Sequence, residues 1–189
     1  MPNLQVILAA TRDGRKGPAV ADWFLEQAKK YGRFNVEFID LAAVNLPLFD
    51  EPNHPRFQQY QHEHTKKWSA IVARADAYVF VTPEYDFSAP AALTNALQYL
   101  LKEWAYKAAG LVSYGGVSAG LRGAEMTKQT LTSLKVMPMF ESVAIPFFAQ
   151  HIDKATGKFN PGEIQEKATV AMLDELLKWT TALKPLRSA

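Results

Sequence analysis

The sequence predicts an α/β protein in which five parallel strands form one sheet with helices on both faces. Five apolar runs show almost no alternation with polar residues, which is typical of strands buried on both faces. The segments between these runs carry apolar residues three and four positions apart, as in helices with one buried face. Because strand and helix alternate five times, we expect a parallel sheet with right-handed crossovers.

The positions of the five predicted strands indicate which loops could bind a ligand. They span residues 4–10, 36–41, 77–82, 109–114 and 140–145. Two spatial orders are compatible with this pattern, the order 2-1-3-4-5 and that of half a Rossmann fold. In both orders, ligands bind at the carboxyl ends of the strands, beside the point where strand order reverses. The loops after strands one, three and four are therefore the candidate ligand-binding segments.

The helices between the strands are predicted mainly from apolar stripes. The first stripe contains Val20, Trp23, Phe24, Ala28 and Tyr31. A second stripe contains Leu93, Ala96, Leu97, Leu100, Leu101 and Trp104. Two further helices are predicted over residues 57–75, which are more polar, and over residues 121–134. Each of the first four strands is thus followed by a helix.

The last helix has a sequence signature at its start. Asn160 suits the N-cap, Pro161 the first helical position and Glu163 the third position of a capping box. The apolar residues that we expect to face the core are Ile164, Ala168, Ala171, Leu176, Leu177 and Leu183.

The composition narrows the class of protein. A length of 189 residues favours one domain over residues 1–189, and the net charge of +2 comes from scattered Lys and Arg, so neither nucleic acid nor membrane is an expected partner. The absence of cysteine excludes disulfides and thiolate metal sites. No signal-peptide pattern opens the chain, and no apolar run approaches the ~20 residues that span a bilayer. We therefore expect a cytoplasmic protein.

His62 and His64 raise the question of a metal site. Residues two apart do not share a helix face, and no third ligand lies nearby in the sequence. We therefore expect no metal ion there.

The loop after strand one, residues 9–18, combines a hydroxyl, glycines and three cations just before a helix. A helix N-terminus offers free N–H groups and a partial positive charge, which favour a phosphate. Thr11 is a candidate hydroxyl donor, and Arg12 and Arg15 are candidate counter-charges. The dinucleotide fingerprint G-x-G-x-x-G and the Walker A pattern are both missing. The alternative is a solvated basic loop that only begins a helix.

The loop after strand three is held by a proline at each end. Pro83 ends the strand, and Pro90 suits the first turn of the next helix. The backbone N–H groups between them could face a ligand that an aromatic side chain covers. The alternative is a turn whose Tyr85 and Phe87 pack over the edge of the sheet.

The loop after strand four contains Gly115 and Gly116, which allow close approach of the backbone to a ligand. The alternative is an ordinary glycine-rich turn. The fold brings all three loops to one edge of the sheet. A phosphate-binding loop, an aromatic cover and a glycine-rich edge together indicate a mononucleotide with a flat ring system, and a flavin fits.

These motifs resemble the NAD(P)H-dependent FMN reductase family, which includes FMN, quinone, chromate and azo-dye reductases. Residues 82–90, T-P-E-Y-D-F-S-A-P, are similar to the family's central motif, and residues 93–99 continue the match. Residues 9–17 are similar to the family's first motif, near G-S-T-R-x-G-R-x-G. Residues 113–116 match its S-Y-G-G. The resemblance covers almost the whole chain.

The resemblance implies a three-layer flavodoxin-like fold with sheet order 2-1-3-4-5, and an enzyme that passes hydride from NADPH or NADH through FMN to a small-molecule acceptor. Free flavin, quinones, azo compounds and metal oxyanions are the implied acceptors. No catalytic side chain is singled out, because the cofactor carries the chemistry. A homodimer or homotetramer is also implied, and the proline-rich loop of residues 45–55 and the Trp104 end of its helix are candidate contacts between subunits.

The resemblance also assigns cofactor-binding residues. Those expected around the phosphate are Thr11, Arg12, Arg15, Gly17, Pro18 and Ala19. Those expected to hold the ring and ribityl chain are Pro83, Glu84, Tyr85, Asp86 and Phe87. Those expected along the pyrimidine edge are Ser113, Tyr114, Gly115 and Gly116.

Three residues depart from the family pattern. Ala9 and Ala10 stand where Gly-Ser is frequent, which removes a hydroxyl, and Asp86 stands where Asn is usual. Two alternatives therefore remain open. One is a non-catalytic FMN-binding electron carrier or redox sensor, and the other is a relative that has lost FMN and acts as a binding protein.

Overall fold

A computed structural model describes residues 1–187 as alternating strands and helices. The strands are β1 (Asn3–Leu8), β2 (Asn35–Asp40), β3 (Ala77–Pro83), β4 (Ala108–Tyr114), β5 (Met137–Pro138) and β6 (Val143–Ile145). The helices are α1 (Gly17–Tyr31), α2 (Leu41–Val44), α3 (Glu63–Ala73), α4 (Ala91–Gln98), α5 (Leu121–Ser133) and α6 (Glu163–Leu183). No helix within residues 1–187 is both long enough and apolar enough to cross a membrane.

The strands form one parallel sheet in the order β2-β1-β3-β4-β5. This confirms the order 2-1-3-4-5. The position beyond β4 is shared by two short strands, because β5 pairs with the start of β4 and β6 with its end. The prediction of one strand over residues 140–145 was wrong in its bounds. The structure has β5 over Met137–Pro138 and β6 over Val143–Ile145, so the residues between them separate two pairings with β4.

Both faces of the sheet are buried, which explains the unbroken apolar runs. Val79 and Val81 of β3 point to the face covered by α1 and α6. Tyr78 and Phe80 point to the opposite face, where they pack with side chains from α3, α4 and α5. All seven residues of β3 and all seven of β4 are buried. The result is the predicted arrangement of three layers.

Two predicted helices are shorter than expected. The structure begins the helix predicted over residues 57–75 at Glu63, because Gln58 adopts a left-handed conformation that no α-helix contains. The helix predicted to reach Trp104 ends at Gln98. Leu100 and Trp104 are nevertheless buried, since the turns that follow α4 fold back onto the sheet. Apolar spacing identified core residues there, but not the end of the helix.

The start and buried face of α6 also differ from the prediction. The helix begins at Glu163 with Gly162 at the N-cap, so Asn160 and Pro161 lie before it. Ile164 is 79% exposed, whereas Met172 and Leu173 are fully buried. The contact with β4 explains this orientation. A Cβ on Gly110 of β4 would lie 2.7 Å from the Met172 sulfur, so α6 sits on a glycine in the sheet.

The other residues of α6 that were expected to face the core differ in burial. Leu176 is buried, and Ala171 is exposed. Ala168, Leu177 and Leu183 are partly buried against the core.

Candidate functional site

Three loops converge at the carboxyl edge of the sheet around a cleft of about 250 Å³. We call this space the loop cleft. The residues that line it are Arg12, Arg15, Lys16, Pro83, Glu84, Tyr85, Tyr114, Gly115, Gly116 and Phe148. Eight of these ten were named from the sequence. The loops meet because β1, β3 and β4 are neighbours and run in the same direction.

The loop after β1 ends at the N-terminus of α1, which begins at Gly17 with Pro18 as its second residue. The side chain of the N-cap residue, Lys16, makes no capping hydrogen bond with the first turn. The first-turn N–H groups and the helix dipole are therefore available to an anion. Arg12 is exposed, and its guanidinium lies 5.9 Å from the centre of the Tyr85 ring. A positive charge thus stands at this end of the loop cleft.

Arg15 is engaged by the protein itself. Its guanidinium donates two hydrogen bonds of 2.6 Å to the Asp40 carboxylate, and a third to the Ala10 carbonyl. The hydrogen bond with Asp40 raises the pKa of Arg15. Burial alone would raise the pKa of Asp40, but the bonds from Arg15 and the Ala42 N–H outweigh it and lower that pKa. Arg15 therefore fixes the shape of the loop and lends little net charge to the cleft.

The loop after β3 is a two-residue turn. The Tyr85 N–H donates to the Ser88 carbonyl at 3.0 Å, and the Ser88 N–H donates to the Tyr85 carbonyl at 2.8 Å. Asp86 and Phe87 between them have φ values of 49° and 65°. Two positive φ values are the signature of a type I′ turn, which Asp tolerates and Phe rarely adopts. Backbone strain of this kind is concentrated at functional sites.

Glu84 joins this turn to the start of α5. Its carboxylate accepts hydrogen bonds from the Ser118 hydroxyl at 3.0 Å, the Arg122 N–H at 2.9 Å and the Arg122 guanidinium at 2.9 Å. Burial would raise the pKa of Glu84, and these bonds more than reverse that effect, so the pKa is lowered. Arg122 also stacks over the exposed Phe87 ring at 4.0 Å. Glu84 therefore holds two walls of the cleft together.

The loop after β4 is joined to the segment that follows β6. The Phe148 N–H donates to the Gly115 carbonyl at 3.1 Å, and the Phe147 N–H donates to the Gly116 carbonyl at 3.0 Å. The Phe148 ring meets the Tyr114 ring edge to face, with centroids 4.9 Å apart. Phe148 thus gives the cleft a second aromatic wall beside Tyr85.

Lys16 and Phe148 line the cleft but were not named from the sequence. Lys16 lies inside the first loop, which had been singled out as basic. Phe148 follows the last strand of the sheet, at the same edge as the three loops. Since ligands bind at the carboxyl ends of parallel strands, the same rule points to this segment as well.

Seven predicted site residues do not line the loop cleft. Thr11 lines a separate cleft of about 260 Å³ between α2 and α4. Gly17, Pro18 and Ala19 form the first turn of α1. Asp86 and Phe87 form the tip of the turn, and Ser113 is buried within β4. The first turn of α1 and the turn after β3 therefore adjoin residues that line the cleft, and their backbone groups lie near it.

His62 and His64 lie outside the loop cleft, and they are closer together than helical spacing suggested. His62 precedes α3 as its N-cap, so the two rings stack with centroids 5.2 Å apart. Both face Asp50, whose carboxylate is 3.0 Å from His64 Nε2 and 3.9 Å from His62 Nε2. The argument from a shared helix face did not apply, because only His64 is helical.

Comparisons with known proteins agree with this geometry. Residues 2–150 match the model of a family described as NADPH-dependent FMN reductase. An NAD(P)H-dependent FMN reductase of Schizosaccharomyces pombe is 36% identical over 148 residues, which are 77% of this chain and 74% of that protein. An NAD(P)H-dependent FMN reductase of Saccharomyces cerevisiae is 31% identical over 142 residues, which are 69% of this chain and 74% of that protein.

The fold is shared with solved structures at low sequence identity. A flavoenzyme NAD(P)H:(acceptor) oxidoreductase from Paracoccus denitrificans superposes with a TM-score of 0.74 at 19% identity, covering 96% of this chain and 98% of that one. The family match covers the strands and loops that build the cleft. The chain therefore belongs to the NADPH-dependent FMN reductase family and is an oxidoreductase of the NAD(P)H-dependent type.

Proposed function

We propose that the loop cleft binds FMN and that the enzyme uses NAD(P)H to reduce a small-molecule acceptor such as a quinone, an azo compound or free flavin. One observation carries the proposal. The cleft combines cations and a helix N-terminus with aromatic side chains and a glycine-rich loop. A phosphate suits the first set of groups, and a flat ring suits the second. The whole chain, residues 1–189, acts in this proposal as one domain.

The donor set of the cleft fits FMN. Arg12 and Lys16 supply positive charge beside the first turn of α1. Tyr85 and Phe148 supply aromatic surfaces. A Cβ on Gly116 would meet no atom within 4 Å, so the glycine leaves open space in which a ring system can approach the backbone.

FMN, when bound, accepts a hydride from NAD(P)H and delivers electrons to the acceptor. The protein's residues bind and orient it. The turn at Asp86 and Phe87 presents two backbone N–H groups that have no acceptor among residues 1–187. Glu84 and Arg122 keep that turn at a fixed distance from the start of α5. Such preorganisation favours one orientation of the ring over others.

An absorbance experiment tests the proposal. Purified protein is mixed with FMN, freed of unbound flavin, and then given NADPH without oxygen. We expect retained flavin bands that NADPH bleaches, and reoxidation when a quinone is added. Retained flavin that NADPH does not bleach would instead support the electron carrier or redox sensor. If no flavin is retained and FMN fluorescence is not quenched on titration, the proposed function is wrong.

We also propose that the enzyme is a homodimer or homotetramer. Apolar side chains around the cleft are exposed, with Phe87 66% and Val117 78% accessible. Leu48, in the proline-rich loop suggested from the sequence as a contact, is 82% exposed. Trp104, suggested for the same purpose, is fully buried and is a core residue. Light scattering during gel filtration measures the assembly, and a monomer at micromolar concentration would contradict this proposal.

A further inference from the structure

Tyr114 is a buried side chain whose hydroxyl is not used by the fold. Tyr114 is only 3% exposed. Buried phenols elsewhere in the chain donate to carbonyls, as Tyr78 does to Val72 and Tyr99 to Pro47. The Tyr114 hydroxyl has no hydrogen-bond partner among residues 1–187, although it lines the loop cleft. A largely buried phenol whose unpaired hydroxyl reaches a cleft is available to a ligand there.

The Tyr114 oxygen lies against the first residue of α1. A Cβ placed on Gly17 would be 2.5 Å from this oxygen and 3.2 Å from the Ala10 Cβ. Gly17 therefore leaves room for the phenol. α1 is 15 residues long, and its N-cap side chain makes no capping hydrogen bond. The phenol oxygen thus lies beside the first turn of α1, whose N–H groups no side chain caps.

The charges around Tyr114 indicate what binds at that point. Burial is the largest effect on its pKa and raises it, the nearby Tyr85 raises it further, and Arg12 and Arg15 lower it. The net pKa stays well above its usual value, so the hydroxyl keeps its proton at neutral pH and can donate. The helix N-terminus, the Arg12 guanidinium and the Tyr114 phenol thus border the same cleft. Several donors and a cation around one cleft suit a phosphate.

We propose that the Tyr114 hydroxyl donates a hydrogen bond to the phosphate of FMN and so makes the enzyme select FMN over riboflavin. The inference rests on the proposed function. It gives Tyr114 a different role from the one predicted from the sequence, where it was expected along the pyrimidine edge. The proposal leaves that edge to Gly115 and Gly116, whose carbonyls accept hydrogen bonds from the Phe148 and Phe147 N–H groups.

Flavin titrations of Tyr114→Phe test the inference. Fluorescence quenching gives the Kd of the wild type and the variant for FMN and for riboflavin, which lacks the phosphate. We expect the Kd for FMN to rise about tenfold or more, because a hydrogen bond to a charged group is lost, while the Kd for riboflavin stays unchanged. Tyr106→Phe removes a phenol outside the cleft and serves as the matched control.

A second variant guards against a folding effect in the first. Gly17→Ala places a methyl group where the Tyr114 oxygen lies, so it displaces the hydroxyl without removing it. Because this methyl group would also lie 2.9 Å from the buried Leu8 side chain, urea unfolding of both variants accompanies the titrations. We expect the same loss for FMN and none for riboflavin.

Three outcomes would overturn parts of the proposal. Equal weakening of FMN and riboflavin, or no change for FMN, would overturn the role of Tyr114 and leave the proposed function intact. A raised KM for NADPH with unchanged affinity for FMN would assign the phosphate to the dinucleotide, and it would overturn the selection of FMN. A wild type that binds neither flavin would overturn the proposed function itself.

Discussion

Two charged side chains that line the loop cleft already form ion pairs within the protein. Arg15 is paired with Asp40, and Glu84 is paired with Arg122. An arginine in a basic loop and a glutamate in a motif both look like ligand contacts in a sequence. Their partners lie 25 and 38 residues away along the chain, so the sequence did not reveal that they are already engaged. The positive charge that remains for an anion is that of Arg12 and Lys16.

Gly116→Ala separates binding from stability. The added methyl group meets no protein atom within 4 Å, and Gly116 is not among the residues with positive φ, so we expect the free energy of unfolding to change by less than about 0.5 kcal/mol. We also expect much weaker FMN binding, because the methyl group enters the space proposed for the ring. Urea unfolding and fluorescence titration measure the two effects.

Gly123→Ala is the matched comparison for Gly116→Ala. Its Cβ would lie 2.9 Å from the Ser88 carbonyl oxygen, so the backbone of the turn would have to shift and stability should fall. Unchanged FMN affinity in Gly116→Ala would contradict the placement of the ring beside this glycine.

The helices and strands show what local patterns determine. Apolar runs located β3 and β4 because strands buried on both faces are apolar at nearly every position. They also located β1 and the edge strand β2, although β2 is only partly buried. The ends of α3 and α4 and the division between β5 and β6 were not predicted. These ends depend on where turns fold back onto the sheet, and such contacts override weak local preferences. The buried face of α6 was mistaken for the same reason.

Leu173→Ala and Ile164→Ala test which face of α6 is buried. Leu173 is fully buried and Ile164 is 79% exposed. We expect Leu173→Ala to reduce the free energy of unfolding by about 2–5 kcal/mol, since it leaves a cavity, and Ile164→Ala to change it by less than about 0.5 kcal/mol. Chemical denaturation measures both. Similar losses in the two variants would show that α6 packs differently.

Lys107 gives the chain a pH-dependent stability. Its ammonium donates to the Val72 and Ala73 carbonyls at the end of α3 and to the Tyr78 hydroxyl. Burial lowers its pKa from 10.5 to about 8. Between these two pH values the unfolded chain binds more protons than the folded one, so the contribution of Lys107 to stability rises with pH.

We therefore expect the wild type to gain stability relative to Lys107→Met between pH 8 and pH 10.5. Urea unfolding of both proteins at several pH values measures the difference between their slopes. The comparison cancels the tyrosines, which also titrate near this range. Parallel pH profiles would show that Lys107 is not desolvated in the folded protein.

The assembled sheet creates the functional site, and no single element does. Loops that lie far apart in the chain meet at one edge, because β1, β3 and β4 are adjacent and parallel. The segment after β6 closes the same edge through Phe148. Membership of the NADPH-dependent FMN reductase family is consistent with this placement, since the family match spans all of these loops.

Binding of FMN should stabilise the folded chain. At a concentration 100 times the Kd, a ligand that binds only the folded state adds about 2.7 kcal/mol to the free energy of unfolding. For a chain of this size we expect a rise in Tm of about 5–10 °C, which scanning fluorimetry or calorimetry measures. Riboflavin at the same concentration is the control, and its shift should be smaller. Equal shifts, or none with FMN, would contradict a phosphate-selective flavin site.

Sequence patterns alone established the fold class, the three loops and the family resemblance, because these depend on apolar periodicity and on short motifs of neighbouring residues. The folded structure decided which side chains are free and where each one points. Thr11 faces a second cleft, Arg15 is held by Asp40, and the Tyr114 hydroxyl meets the start of α1. Hydrogen bonds and ion pairs depend on distances of a few ångströms between segments far apart in the chain, and only the packing of the sheet and helices fixes those distances.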